Sequence, residues 1–202
     1  MKTNKFLLGV FLLALLFSCQ QQQELGERLQ ASRRWKELDG KTRDSITSQA
    51  TQGLRKRVDD IEKTTWFEAK ETPKTLDQNS FHIYIGLKDG VAPWLRMRIQ
   101  YSGEDWLFVQ GCKVKADDSV YSIPISEVKR DNNMEGVYEW IDNPVDQEGF
   151  SLVGAIARSK QTKLRLVGAN DHANDREITK QEKEAISLVL EAFKGLTGKT
   201  GK

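Results

Sequence analysis

The periodicity of this chain predicts an α+β fold: an antiparallel β-sheet with two helices packed on it, one of them C-terminal, preceded by a helical N-terminal stalk. Three observations carry that prediction. Apolar residues recur every three or four positions before residue 62, every second position from Thr65 onward, and again at helical spacing in two later segments. The strand-like segments follow one another closely, which suits antiparallel neighbours better than parallel crossovers. The last segment also carries a complete helix-start signal, Thr179 with Glu182. A β-sandwich is the alternative arrangement of the same strands.

The first segment divides from the rest by chemistry. Lys2 and Lys5 precede an uncharged run from Phe6 to Phe17. As a helix that run is roughly 18 Å long, too short for a bilayer core of about 30 Å. Charge followed by a short apolar run reads as a secretory signal. It ends in Leu16-Phe17-Ser18-Cys19, which resembles the lipobox of bacterial lipoproteins. The resemblance implies cleavage before Cys19 and acylation of its sulfur. The mature chain would then be held to the lipid bilayer, in the cell envelope, on the outer membrane or its periplasmic face if the source is Gram-negative. Acyl chains contribute about 0.8 kcal/mol per buried CH₂, and stable anchoring takes about two chains. The alternative is an ordinary secretory signal with Cys19 merely nearby.

Residues 1–18 are therefore set apart as a signal peptide. Removing them takes away two lysines and no acid, so the formal charge falls from +2 to 0. A neutral chain has no basic bias toward nucleic acid. With Cys19 acylated, Cys112 has no partner cysteine. The rival pairing is a Cys19–Cys112 disulfide in an unlipidated protein.

Residues 19–62 read as a polar tether and charged helical stalk. Gln20 to Gln23 cannot bury apolar area and stay solvated. Leu25, Leu29 and Leu38 form a poor stripe, and Asp39-Gly40 interrupts it. From Asp44 on, Ile46, Ala50, Leu54, Val58 and Ile61 fall on one helical face, with Asp44 or Ser45 as cap. This stalk is either a spacer between membrane and domain or a helix packed on the domain.

Residues 63–198 read as a globular α+β domain. Phe81, Ile83 and Ile85 alternate with His82 and Tyr84; Leu95, Met97, Ile99 and Tyr101 alternate with Trp94, Arg96, Arg98 and Gln100. These are half-buried strands joined through Lys88-Asp89-Gly90. Trp106 to Lys115 is apolar on both faces and reads as a central strand. Ala116-Asp117-Asp118 turns into Ser119 to Ile125. Arg130 to Asn133 reads as a loop before the strand Gly136 to Ile141. Pro144 ends that strand, and Asp146 caps a helix to about Ser159 with Phe150, Val153, Ile156 and Ala157 inward. Thr162 to Val167 is a strand. The final helix buries Ile186, Val189, Leu190 and Phe193, and Gly195 or Gly198 closes it.

The stretches WLRMRIQYSGEDWLFV, VYEWIDNPV and ITKQEKEAISLVLEAF resemble a domain of bacterial cell-envelope and secreted proteins. The resemblance spans roughly residues 64–196. It implies a small module without an assigned activity and carries over no catalytic residue.

The sequence carries few catalytic or metal-binding signatures. His82 and His172 lack HExxH or CxxC neighbours, so no metal site is expected. Asp171, Asn174 and Asp175 lack EF-hand order and read as a polar turn before the last helix. No GxSxG, SxxK or P-loop occurs, no catalytic residue is assigned, and no cofactor is implied. Cys112 with His82 is a remote dyad candidate, outweighed by Cys112 lying in the most apolar strand.

One constellation points to binding. If the strands around 81–86 and 94–101 pair with residue numbers summing to 180, Tyr84 faces Arg96 and His82 faces Arg98. His82, Tyr84, Trp94, Arg96 and Arg98 then share a face, and Arg165 joins from the later strand. Arginines beside aromatic rings suit an anionic ligand or an envelope-protein partner. The alternative is a solvated face, or ion pairs with acids from a helix. The functional expectation is a membrane-anchored envelope lipoprotein presenting a non-catalytic binding module. An envelope hydrolase and a structural envelope component are the alternatives.

Overall fold

Strand pairing builds two antiparallel sheets that share one core with the helices, as the computed structural model of the chain describes for residue 30 and residues 33–198. The expected signal segment, Cys19, the glutamine tether, Leu25 and Leu29 lie outside the described residues. In chain order the elements are α1 (Gly40–Ala50), β1 (Arg55–Asp59), β2 (Thr64–Glu68), β3 (Ser80–Lys88), β4 (Val91–Gly103), β5 (Gly111–Ala116), β6 (Ser119–Ile123), β7 (Val128–Asn133), β8 (Gly136–Pro144), α2 (Gln147–Arg158), β9 (Thr162–Val167), β10 (Ala173–Glu177) and α3 (Lys180–Thr197). The larger sheet runs β1-β2-β3-β4-β8-β7, and the smaller runs β10-β9-β5-β6. The fold is α+β, with one helix C-terminal.

The core forms where alternation in the strands meets the helical stripes. Phe81, Ile83 and Ile85 of β3 and Leu95, Met97 and Ile99 of β4 point inward together. Cys112, Val114, Leu164 and Leu166 do the same in the smaller sheet. Val153 and Ile156 of α2 and Ile186, Val189 and Leu190 of α3 join the same core, with α3 packed on β3, β4 and the other two helices. Both helices start as the sequence predicts: the Asp146 side chain accepts from the Gly149 N–H, and Thr179 and Glu182 make the capping box. Gly198 is the left-handed cap of α3.

Several elements differ from expectation. The stripe through Leu54, Val58 and Ile61 is not helical. Asp39, rather than Asp44 or Ser45, caps α1, and the helix ends at Ala50 with Thr51 as C-cap. Gly53, at φ 92°, turns the chain out of the helix. Residues 55–59 then pair with β2, Arg57 opposite Trp66. Val58 and Ile61 are left exposed, so their spacing reflects no packed face. α1 itself packs on the domain: Ile46 and Ala50 lie against the core, and Trp35 from the helical residues 33–37 is buried in it.

Trp106 to Lys115 is not one strand. Phe108 has φ 52°, and β5 begins only at Gly111. The kink is held by a fully buried carboxylate. Glu139 of β8 accepts from the Phe108 N–H (2.7 Å), the Val109 N–H (2.9 Å) and the Arg130 Nε (3.0 Å). Its oxygens stand in for the strand partner that the bent backbone has lost. The chain crosses here from the larger sheet to the smaller.

Arg130 to Asn133 belongs to strand β7 rather than a loop, and Ala173–Glu177 is strand β10 rather than a turn. Both are edge strands, where charged side chains meet water on the unpaired side. Among the described residues no helix is long and apolar enough to cross a membrane.

Candidate functional site

Strands β3 and β4 pair in the register that their alternation predicts. Tyr84 sits opposite Arg96, His82 opposite Arg98, and Gly86 opposite Trp94. On the far side of β4, Arg98 lies opposite Asp142 of β8. Directly opposed residues share a sheet face, so these side chains gather on the face turned away from the core.

Asp142 organises them. Its side chain is only 10% exposed. Its carboxylate accepts the Tyr84 hydroxyl at 2.7 and 2.6 Å, the Arg96 Nε at 2.7 Å and the Arg98 Nη2 at 2.7 Å. Arg96 Nη2 also donates to the Asp142 carbonyl at 2.7 Å. Burial works to raise the acid's pKa, but the hydrogen bonds from Tyr84, Arg98 and Arg96 outweigh it and hold Asp142 below the ordinary carboxylate value. Burial and the bond to Asp142 push the Tyr84 phenol up to about 12. Both arginines are half-exposed, and among the described residues neither Nη1 has a hydrogen-bond partner.

Aromatic rings surround this pair. The Arg98 guanidinium carbon stands 6.0 Å from the Tyr84 ring centroid. Trp66 meets Tyr84 edge-on at 5.3 Å and Trp94 at 5.6 Å, while Arg57 lies 5.8 Å from the Trp66 centroid. Trp94 lies over Gly86 so closely that a Cβ there would be 2.2 Å from its ring. Glycine at that position is a condition for the aromatic packing.

The expected site residues therefore divide. Arg96, Arg98 and Trp94 are half-exposed on the face. Tyr84 and His82 share it but are buried, so they support the arginines rather than meet solvent. Burial, with the charge of Arg98, lowers His82 to about 4, which leaves the ring neutral near pH 7; Ser80 Oγ lies 3.2 Å from its Nδ1. Arg165 does not join them. It sits on β9 of the smaller sheet, where its Nε donates to Asp175 at 2.6 Å. The acid balancing the arginines comes from a neighbouring strand, not from a helix.

Sequence reasoning missed Asp142, Trp66 and Arg57. Asp142 was within reach, because it shares strand parity with Tyr138 and Trp140. Cys112 is a free buried thiol pushed up to about 12 by burial, and it lies on the other sheet from His82. Among the described residues no three His, Cys, Asp or Glu side chains converge on a metal-sized site.

No family model matches the chain, and no curated protein matches it. Among solved structures, that of invasion associated protein B from Bartonella henselae is similar over 73% of this chain and 95% of its own. The identity is 14% and the TM-score 0.37, a likeness too distant to bear on fold or function.

Proposed function

We propose that this chain is a lipid-anchored envelope lipoprotein whose globular domain is a non-catalytic binding module, and that the arginine face receives an anionic group. One observation carries the binding reading. Asp142 fixes the planes of two adjacent guanidinium groups while each Nη1, among the described residues, is unpartnered on a half-exposed face. Orienting a guanidinium before binding removes much of its rotamer cost, and its flat fork suits carboxylate or phosphate oxygens. Arg57 adds a third cation beside Trp66, while Arg55 on the same face is already paired with Glu68. Asp142 already takes up one charge, so the ligand replaces water at the Nη1 edges rather than the acid.

The anchor reading rests on Lys2, Lys5, the apolar run and Leu16-Phe17-Ser18-Cys19. Acylated protein will partition into the detergent phase, and its intact mass will exceed that of the cleaved chain by the fatty acyl groups; an unmodified thiol refutes the anchor. For the face, inorganic phosphate and a dicarboxylate are titrated against wild type and the double variant Arg96→Ala/Arg98→Ala. Loss of binding with native-like melting supports the assignment, and unchanged binding removes it.

A further inference from the structure

The molecule has four sheet edges among the described residues, and three are guarded by charge. β1 carries Arg55, Lys56, Arg57 and Asp59; β7 carries Lys129, Arg130 and Asp131; β10 carries Asp175, Arg176 and Glu177. Charged edges discourage another strand from adding. The fourth edge, β6, reads Ser-Val-Tyr-Ser-Ile and has no charge at all. Its Val120 is 64% exposed.

This unguarded edge borders a groove of about 600 Å³. Residues 120–126 line it continuously, with Met97, Pro144 and Leu152 from β4, β8 and α2. The segment after β6 is fixed in place: Asn143 Nδ2 donates to the Pro124 carbonyl at 2.6 Å, and Ser126 Oγ donates to Asn143 Oδ1 at 2.8 Å. The charged residues in the lining are Asp146 and Glu148, both acidic. In an antiparallel pair, every second residue of β6 turns its N–H and C=O away from β5.

We infer that β6 receives an extended segment of a partner protein as an added strand, with apolar side chains entering the groove and a Lys or Arg meeting Asp146 and Glu148. Backbone pairing supplies affinity, and alternate side chains supply selectivity. Charge complementarity decides the occupant. A second copy of β6 brings no cation to the two carboxylates, whereas a basic extended segment does. This surface is separate from the arginine face and does not depend on it.

The test is selection of random peptides of about nine residues against the full chain in detergent. Enriched peptides will alternate apolar residues and contain Lys or Arg. N-methylation of alternate peptide nitrogens, which blocks strand pairing, will weaken binding at least about tenfold. Val120→Lys will do the same, Glu148→Lys will shift the preference toward acidic peptides, and Arg96→Ala/Arg98→Ala will leave binding unchanged. No enriched family, peptides indifferent to N-methylation, or a homodimer abolished by Val120→Lys would each overturn the inference, the last in favour of a second copy.

Discussion

Replacing Asp142 with Asn tests the organisation of the arginine face directly. The substitution keeps the shape and one acceptor oxygen, removes the charge, and turns an amide toward a guanidinium. Three donors lose their charged acceptor: Tyr84, Arg96 and Arg98. A hydrogen bond to a charged group contributes about 1.5–3 kcal/mol. The arginines are 29% and 32% exposed, so solvent screening reduces their share to the lower end. At that lower end the three bonds sum to about 4.5 kcal/mol, the retained amide oxygen keeps about 1.5 of it, and the expected loss is about 3 kcal/mol. With a urea m-value of about 3 kcal/mol/M, the midpoint falls by about 1 M. The dependence on pH supplies the control. The folded pKa of Asp142 lies below its unfolded value, so its contribution is present above the ordinary carboxylate value of 3.8 and is lost as pH falls through the folded value. Wild type and Asp142→Asn should therefore differ at pH 7 and converge in strong acid. A midpoint shift at pH 7 under about 0.3 M, or a gap that persists in acid, would refute Asp142 as the organising charge.

Three further perturbations probe the same framework. His82 titrates near 4 in the folded state against 6.5 unfolded, so stability is complete above pH 6.5 and declines as pH falls toward 4; the loss is about 3 kcal/mol, and His82→Gln should flatten that slope in urea titrations at fixed pH values. Gly86→Ala places a Cβ 2.2 Å from the Trp94 ring, so the indole must move; unfolding should become easier by about 2 kcal/mol, with a changed near-ultraviolet dichroism from the Trp66–Trp94 contact. The Cys112 thiol, buried and pushed up to about 12, should ignore maleimide in native protein and react only across the urea transition; rapid native labelling would contradict its burial.

What the sequence revealed follows the strength of local constraints. The β3–β4 pairing was legible because both strands alternate strictly, so that one parity buries both apolar sets; the turn itself pairs Lys88 with Val91, and a bulge between Gly86 and Lys88 restores the register of the strands. The caps at Asp146 and Thr179 were legible because the residues that bond are three apart. Strands β7 and β10 were not, because an edge needs no apolar alternation and their charges resemble a loop. Helical spacing misled at Val58 and Ile61, where neither side chain is packed. Arg165 was misplaced for a different reason: alternation gives the parity of a side chain within its strand but not the sheet to which the strand belongs.

Sheet membership is decided at the crossing from β4 to β5, and strand β8 controls both that crossing and the arginine face. Its parity puts Glu139 on one side and Asp142 on the other. Glu139 accepts from the bent backbone at Phe108 and Val109, which sends the chain into the smaller sheet. Asp142 gathers Tyr84, Arg96 and Arg98 on the opposite face. A one-residue slip of β8 against β4 would exchange these faces, burying the acid the arginines need and exposing the one the connection needs. The two carboxylates therefore enforce one register from both sides. The orientation of the guanidinium groups is thereby a property of an interior strand, held by the same pairing that joins the two sheets.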